Sequence, residues 1–305
     1  MIREVEFRAP AKLNLRLRIL ARELSGYHQI ETLFAALDWG DRLRLTWDSH
    51  GDGVELEVSG ADLGAPARNL AHRAATAYFS ASGIRGGVRI RLEKEVPVGG
   101  GLGGGSSDAG MVLRALNSLA GEPLEAAALS RLAGELGADV PFFLSPVPFA
   151  LAWGRGDRIL PLPPPEPAPV VLALPPVQVE TPWAYGLLDP DEDMRPEGAT
   201  HDVGALGSWE GLSDLATNDF EPVLFRHHPL LQNLKEAISE EGAHFALLSG
   251  SGSSLFGVFG AAERADRAAD RLRKRFPEVR FVVTRTRTEF PQPREEGRPG
   301  DIGVP

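Results

Sequence analysis

Apolar and polar residues alternate strictly in the first strongly patterned segment of the chain, APAKLNLRLRIL. Apolar residues occupy every second position from Leu13 to Ile19, and Lys12 and Asn14 occupy polar positions in the same series. Successive side chains of a β-strand point to opposite faces, so this pattern predicts a strand with Lys12 and Asn14 on one face. Further apolar runs predict strands at 42–47, 54–58 and 87–93.

Apolar residues spaced three and four apart predict helices in the same half of the chain. This spacing occurs in segments starting at Asn69 and at Ser106, and again at about 124–136. The first half therefore mixes strands and helices. The second half has the pattern of an antiparallel sheet covered by helices. We predict strands at 169–174, 244–248, 254–259 and 278–284, and helices at 182–188, 207–216, 229–240 and 261–275.

A proline-rich segment, LPLPPPEPAPV at 160–170, separates the two halves. Neither a helix nor a central strand can pass through so many prolines, because proline has no amide hydrogen and a fixed φ. We therefore expect an N-terminal domain at 1–160 and a C-terminal domain at 169–287. The acidic, turn-rich segment 190–206 and a tail at 288–305 have too little apolar content to pack, so we expect both to be mobile.

Length and composition narrow the class of protein. A chain of 305 residues has room for about two domains, and its net charge of −10, without a basic stripe, argues against a nucleic-acid partner. Without a long apolar run or an export signal, no membrane partner and a cytoplasmic location are expected. The absence of cysteine excludes thiolate chemistry and disulfides. No aromatic or heptad stripe marks an interface, and the expected assembly is a monomer or a weak homodimer.

Lysine is rare in this chain and arginine is common. Of the 32 basic residues only Lys12, Lys94, Lys235 and Lys274 are lysines, so each is a candidate for a specific role as well as for ordinary surface charge.

The segment VPVGGGLGGGSSDAG, at 96–110, has six glycines in seven positions directly before a predicted helix. Backbone amides there can approach an anion that the helix N-terminus also favours, which indicates a phosphate-binding loop. A plain turn would need fewer glycines. The segment lacks the lysine of a Walker A motif, and its GxGxxG match is weak evidence for a Rossmann site because Pro97 interrupts the approach. Ser106 and Ser107 either cap the helix or turn their hydroxyl groups toward phosphate or Mg²⁺.

Asp139 is a carboxylate among apolar neighbours in LGADVPFFL, where burial without a partner would be unfavourable. It either caps a short helix that starts at Val140 or meets a cation, for which Lys12 is the candidate. A carboxylate, a fixed cation and a phosphate loop are the parts of a kinase. Tyr27 and His28 offer a ring and an imidazole for a base or sugar, although a role in packing is the ordinary alternative. A second glycine–serine loop, 247–257, is either a hairpin turn or a support for the first loop.

Four segments, PAKLNL at 10–15, PVGGGLGGGSSDA at 97–109, LGADVPFF at 136–143 and LSGSGSSLF at 248–256, resemble the GHMP kinases, which phosphorylate small-molecule alcohols. The segments KLNL, GYH at 26–28 and NDFE at 218–221 resemble the branch acting on the 2-hydroxyl of a cytidyl-diphosphate-linked methylerythritol, in the non-mevalonate route to isoprenoids. The resemblance implies an α+β, two-domain GHMP kinase fold. Its N-terminal domain would be like domain 2 of ribosomal protein S5 and its C-terminal domain ferredoxin-like, with the site between them.

The resemblance also implies roles for individual residues and ATP with Mg²⁺ as cofactors, but it names no metal ligand. Asp139 would be the general base and Lys12 its charge-stabilising partner. The residues implied around ATP are Asn69, Lys94, Pro97, Val98, Gly99, Gly100, Gly101, Leu102, Gly103, Gly104, Gly105, Ser106 and Ser107. The residues implied around the small-molecule substrate are Asn14, Tyr27, His28, Thr181 and Tyr185.

One segment departs from the family pattern. Ser25 stands before Gly26 where the family usually has aspartate, so the local loop is expected to differ while Tyr27 and His28 keep their role. Three alternatives stay open at this point: a GHMP kinase for homoserine or mevalonate, a catalytically silent nucleotide-binding regulator, and a Rossmann oxidoreductase.

Overall fold

The computed structural model describes residues 2–188, 203–292 and 294–295. The strands in these ranges are β1 Ile2–Arg22, β2 His28–Asp48, β3 Gly53–Ser59, β4 Gly87–Glu93, β5 Phe149–Gly154, β6 Arg158–Pro161, β7 Pro169–Leu174, β8 Thr217–Asn218, β9 Phe245–Leu248, β10 Leu255–Val258, β11 Arg280–Arg285 and β12 Arg294–Glu295. The α-helices are α1 Leu70–Ser82, α2 Gly104–Leu119, α3 Ala126–Leu136, α4 Thr181–Gly186, α5 Trp209–Leu215, α6 Glu221–His227, α7 Pro229–Glu240 and α8 Ala262–Arg275.

The first sheet has the strand order β12-β1-β2-β4-β3, with β5 and then β6 continuing from β2, and β8 beside β1. Most of its pairs are antiparallel, whereas β3 is parallel to β4 and β8 is parallel to β1. The β1–β2 register shifts between Pro10 and Lys12. At that point the backbone N–H of Lys12 donates to the carbonyl of Leu102, at 2.9 Å. The shift therefore ties the middle of β1 to the glycine loop.

The second sheet has the order β11-β7-β10-β9, and all its pairs are antiparallel. Apolar residues of α6, α7 and α8 share a core cluster with one face of it. A further cluster joins Leu13 and Leu15 of β1 to Leu172 of β7 and Phe256 of β10. The apolar face predicted for β1 thus packs against the second sheet, and β1 belongs to both halves of the core.

The predicted helix-covered antiparallel sheet is confirmed, and the predicted strands and helices of the second half lie within a few residues of the observed ones. The full length of β2, the β5–β6 hairpin and α6 had no clear periodic signal and were not predicted. The strand β5 is apolar at five consecutive positions, 149–153, so its sequence lacks the alternation that marks a half-exposed strand. The proline-rich segment 160–170 connects β6 to β7, and the domain limits stay a prediction.

The start of the predicted tail at 288 needs correction. Phe290 is only 3% exposed and lies against the rings of Phe142 and Phe143. Burial of this one aromatic ring is sufficient to pack the start of the segment, although its other residues are mostly polar. Most of the acidic segment 190–206, and most of the tail beyond 292, lie outside the described residues. No helix within the described ranges has the length and apolar character needed to span a bilayer.

Candidate active site

A cleft of about 1170 Å³ lies beside β1 and the glycine loop. Its walls are that loop, the β1–β2 turn, the segment 134–139, the β5–β6 turn and α4. Every site residue expected from the sequence lines this cleft except Ser107. Residues that are remote along the chain therefore share one space.

The glycine loop approaches its neighbours too closely for side chains at two positions. A Cβ on Gly101 would lie 1.9 Å from the carbonyl oxygen of Ser249, and one on Gly103 would lie 2.9 Å from Cγ of Lys12. Both glycines also have positive φ, 75° and 68°, which L-residues rarely adopt. The loop can follow this path along β1 and the second glycine–serine loop only because glycine occupies these positions.

Neither serine caps the helix that follows the loop. Helix α2 begins at Gly104, with Gly103 at the N-cap position, two residues earlier than predicted. Ser106 lines the cleft. Ser107 is fully buried, and its hydroxyl oxygen has no hydrogen-bond partner among the described residues. Of the two candidates, only Ser106 faces the space where an anion would bind.

Lys12 connects three parts of the cleft. Its Nζ donates to Oδ1 of Asn14 at 2.5 Å and to the carbonyl of Gly101 at 2.8 Å, and it lies 3.5 Å from Oδ2 of Asp139. The residue is only 3% exposed. Burial lowers the pKa of Lys12, while the charge of Asp139 and hydrogen bonding to it act in the opposite direction. The paired carboxylate thus favours the charged ammonium in this enclosed position.

Asp139 stands at the N-cap position of the short 3-10 helix Val140–Leu144, but its side chain makes no capping hydrogen bond. Its carboxylate instead faces Lys12, and the Asp139 side chain keeps 31% of its surface exposed. Of the two interpretations left open by the sequence, the geometry favours the cation partner over the helix cap.

Lys94 and Asn69 have structural partners as well as a place in the cleft lining. Nζ of Lys94 donates to Asp41 and, at 2.9 Å, to Oδ2 of Asp108. Burial opposes the charge on Lys94, but the carboxylates of Asp108 and Asp41 outweigh it and raise the Lys94 pKa. Burial also raises the pKa of Asp108 to about 8. Asn69 caps α1 by accepting from the N–H of Ala71 at 2.8 Å.

Aromatic side chains line the other end of the cleft. The rings of His28 and Tyr185 stack with centroids 4.6 Å apart and planes 16° apart. Burial, followed by the charge of Arg22, lowers the pKa of His28, so the ring favours its neutral form. Burial and then the charge of Asp139 raise the pKa of Tyr185 to about 12. The hydroxyl groups of Thr181 and Ser251 are 2.9 Å apart, which links α4 to the second loop.

The second glycine–serine loop is both a hairpin turn and a support for the first loop. It joins β9 to β10, and the Ser249 hydroxyl donates to the carbonyl of Gly101 at 3.0 Å. Nδ2 of Asn218 donates to the carbonyls of Leu248 and Gly250, both at 2.8 Å, and the carboxylate of Glu221 accepts from the N–H of Leu248 at 2.9 Å.

Asn218 and Glu221 were not nominated as site residues, nor were Asp41, Asp108 and Arg155. The NDFE segment at 218–221 was a signal for the first two, because both lie in a segment that resembles a kinase branch. Asp108 lies within the glycine-rich segment 96–110, but nothing in that motif singled out its side chain, and Asp41 and Arg155 lie in segments with no distinguishing spacing. Their place in the site depends on the packing of the sheet.

Two family models match the chain. The GHMP kinases N terminal domain matches residues 69–146, and the GHMP kinases C terminal domain matches residues 201–278. Together they cover more than half of the chain, which belongs to the GHMP kinases and is a small-molecule kinase that uses ATP. The expected α+β, two-domain kinase fold is thereby confirmed.

Curated relatives and solved structures narrow the comparison. The chain is 44% identical over 276 residues to 4-diphosphocytidyl-2-C-methyl-D-erythritol kinase of Nitratidesulfovibrio vulgaris strain DP4, covering 88% of this chain and 95% of the relative. It is 38% identical over 275 residues to the kinase of that name from Chloroherpeton thalassium, covering 88% and 94%. A crystal structure of 4-(cytidine 5'-diphospho)-2C-methyl-D-erythritol kinase superimposes with a TM-score of 0.78 at 38% identity, covering 92% of this chain and 98% of that one.

A more distant structure shares only the fold. Homoserine kinase from Cytophaga hutchinsonii gives a TM-score of 0.72 at 21% identity, covering 96% of this chain and 97% of the other.

Proposed function

We propose that this chain transfers the γ-phosphoryl group of ATP to the 2-hydroxyl group of 4-diphosphocytidyl-2-C-methyl-D-erythritol, a step of the non-mevalonate route to isoprenoids. The observation that carries the proposal is the pairing of Lys12 with Asp139, 3.5 Å apart, at the mouth of the glycine loop. The names and high coverage of the curated relatives support the choice of substrate.

In the proposed reaction, Asp139 orients the acceptor hydroxyl and takes its proton as the oxygen bonds to the γ-phosphorus. ADP leaves with the electrons of the broken P–O bond. Phosphoryl transfer is largely dissociative, so the proton leaves late, and positioning contributes more than basicity. Lys12 supplies a fixed positive charge for the transferring group, because Asn14 and Gly101 hold its ammonium in place before substrate binds.

The phosphates of ATP would lie against the amides of the glycine loop and the N-terminus of α2. A smaller cavity of about 550 Å³ shares Asn69 and Leu63 with the cleft. Its lining mixes apolar side chains, Leu56 and Val58 among them, with the polar residues Ser59 and Asp62. The adenine ring would lie against the apolar part, with Asn69 and Lys94 on the adenosine side.

Mg²⁺ fits this site as an ion bound mainly by the phosphates of ATP. The described residues contain no group of three His, Asp or Glu side chains placed to hold a metal ion. Mg²⁺ commonly keeps several waters and binds through substrate phosphates, so such a cage is not required. The Ser106 hydroxyl lines the cleft and would hold the ion together with phosphate oxygens and water. When bound, the ion would neutralise phosphate charge.

The cytidyl end of the substrate would occupy the aromatic end of the cleft. Tyr27 offers a largely exposed ring, 59% accessible, and neutral His28 offers hydrogen bonds to a base edge. Asn14, Thr181 and Tyr185 would complete the contacts to the erythritol and base. Nothing in this arrangement specifically favours homoserine or mevalonate, whose small acceptors need no aromatic platform.

The test is a coupled ADP-release assay with purified protein, Mg·ATP and one acceptor at a time. We expect turnover with the cytidyl-linked methylerythritol and only background with homoserine or mevalonate, and phosphorus NMR should locate the new phosphate at the 2-oxygen. Turnover with another acceptor alone would assign the chain to a different branch. Nucleotide binding without turnover of any acceptor would indicate the silent regulator. A monomer or weak homodimer and a cytoplasmic location stay predictions.

A further inference from the structure

A cation stands at the tip of the β5–β6 hairpin, beside the aromatic end of the cleft. Arg155 lies in the turn between the two strands, and its guanidinium carbon is 4.0 Å from the ring centroid of Tyr27. Both residues line the cleft. The guanidinium therefore covers one face of the ring that we assign to the cytidyl group.

Contacts to two residues hold this guanidinium along one edge only. Nη2 lies 2.6 Å from Oε2 of Glu23 and 3.3 Å from the hydroxyl oxygen of Ser25, and Nε lies 3.5 Å from Oε1 of Glu23. The third nitrogen, Nη1, makes no hydrogen bond within the described part of the chain, and the Arg155 side chain is 43% exposed. One edge of the fork is thus anchored, and the other is available to a ligand.

Within the described chain, Glu23 is the only carboxylate with a hydrogen bond to the Arg155 side chain, and Ser25 gives the guanidinium a neutral contact. With a single acidic hydrogen-bond partner, the arginine keeps its attraction for an added anion.

The same turn also reaches the proposed general base. A Cβ on Gly156 would lie 3.8 Å from Oδ1 of Asp139, so adjacent turn residues face the acid and the Tyr27 ring. In the proposed substrate, a short carbon chain separates the reacting 2-hydroxyl from the diphosphate attached at carbon 4. The turn thus carries the cation of Arg155 and, at the next residue, lies beside Asp139, which suits a substrate that has both a reacting hydroxyl and a diphosphate.

We propose that Arg155 is a specificity-determining residue that binds the diphosphate of the acceptor through its free Nη1 edge, while Glu23 and Ser25 anchor the opposite edge. The inference rests on the proposed function, since it assumes a nucleoside diphosphate in this part of the cleft. The contact of Arg155 with the charged diphosphate would add to the contacts that Tyr27 and His28 make with the cytidyl group.

The test compares binding of CDP and cytidine by titration calorimetry, with the ATP site filled by a non-hydrolysable ATP analogue. In Arg155→Ala we expect the Kd for CDP to rise about 10- to 100-fold, as for loss of a charge-assisted hydrogen bond, and the Kd for cytidine to stay within about twofold. Arg155→Lys should give an intermediate loss, since it retains charge without the planar fork. Arg89→Ala is the control, because it removes an exposed ion pair with Glu55 outside the cleft.

An equal weakening of CDP and cytidine in Arg155→Ala would mean that the residue only supports the Tyr27 ring, and would overturn the proposal. So would an unchanged Kd for CDP. If the unmodified protein binds neither ligand, the proposed function fails together with this inference. Thermal unfolding of each variant, expected within a few degrees of the unmodified protein, checks that the fold is intact.

Discussion

Lysines at two positions of this arginine-rich chain lie in the cleft and not on the open surface. Lys12 and Lys94 are nearly buried, and each meets at least one carboxylate. A compact ammonium with three donors can bond in three directions inside a narrow space, which the planar guanidinium of arginine cannot do. At the scale of single residues, the choice of lysine follows from that geometry.

Replacing Asp139 by asparagine tests its proposed role. We expect kcat to fall about 10²- to 10⁴-fold, the range of general acid–base contributions, with little change in KM for ATP. Asparagine retains the size of the side chain but cannot accept the proton. The control is Asp38→Asn, which alters an acid that pairs with Arg285 at the surface. Steady-state kinetics with an undiminished kcat in Asp139→Asn would remove this residue from the reaction.

Lys12→Arg should also abolish most activity. The Nζ of Lys12 already contacts Asn14 and Gly101 within 3 Å, so a longer, planar guanidinium displaces the loop or Asp139. The matched control is Lys274→Arg on the exposed side of α8, which should leave kcat and KM unchanged. Activity of Lys12→Arg near that of the control would show that only the charge at position 12 matters.

At the scale of elements, the site depends on two loops that touch. The glycine loop and the loop between β9 and β10 contact each other through Gly101 and Ser249, and Asn218 holds the second loop from β8. Because β8 itself pairs with β1, Asn218 fixes the position of the second loop relative to the strand that carries Lys12. Residues from both halves of the chain therefore hold the phosphate loop in position.

Alanine substitutions at two glycines distinguish the effect of the contact between the two loops from the effect of backbone strain. Gly99 and Gly101 both have positive φ, 73° and 75°, so alanine at either position carries a similar conformational cost of about 1 kcal/mol. Only Gly101→Ala also places a Cβ 1.9 Å from the Ser249 carbonyl, since a Cβ at Gly99 meets nothing within 4 Å. We expect Gly101→Ala to raise the KM for ATP or lower kcat at least tenfold more than Gly99→Ala. Equal kinetics in the two variants would contradict the proposed support.

At the scale of the whole molecule, buried charge links the site to stability. Asp41, Lys94 and Asp108 form a cluster with at most 4% of each side chain exposed, and Oδ1 of Asp108 has no hydrogen-bond partner in the described part of the chain. Two aspartate side chains thus share one ammonium behind the glycine loop. The folded state favours a protonated Asp108, whose pKa of about 8 is well above the value of about 4 in an unfolded chain.

This shift predicts the pH dependence of stability. A carboxyl group whose folded pKa is raised stabilises the fold fully below its unfolded pKa and loses that contribution as pH rises through the folded pKa. Between about pH 5 and 8, the unmodified protein should therefore lose stability relative to Asp108→Asn, which stays neutral and can still accept from Lys94. Above that range the difference should level off. Urea denaturation across these pH values measures it, and parallel profiles would mean that Asp108 is ionised throughout.

Local pattern was sufficient for much of the fold and for the naming of candidates. The alternation in β1 put Lys12 and Asn14 on one face, where their side chains are hydrogen-bonded. The density of glycines predicted the loop, and helical spacing predicted α1, α2 and α7. These features can be read from neighbouring residues, because the buried positions of a helix recur at a fixed spacing along the chain. The hairpin β5–β6 was not predicted, since β5 is a continuous apolar run without alternation and the tip of the hairpin carries no distinctive spacing.

The sequence by itself thus determined the strands with one apolar face, the main helices, the phosphate loop and the residue types suited to phosphoryl transfer. Only the tertiary structure decided which of them meet. The approach of Lys12 to Asp139, the contacts of Lys94 with Asp41 and Asp108, and the placement of Arg155 over Tyr27 each join residues from separate segments. Contacts of this kind arise from how the sheet, its turns and α2 pack together, and no short window of the chain contains that information.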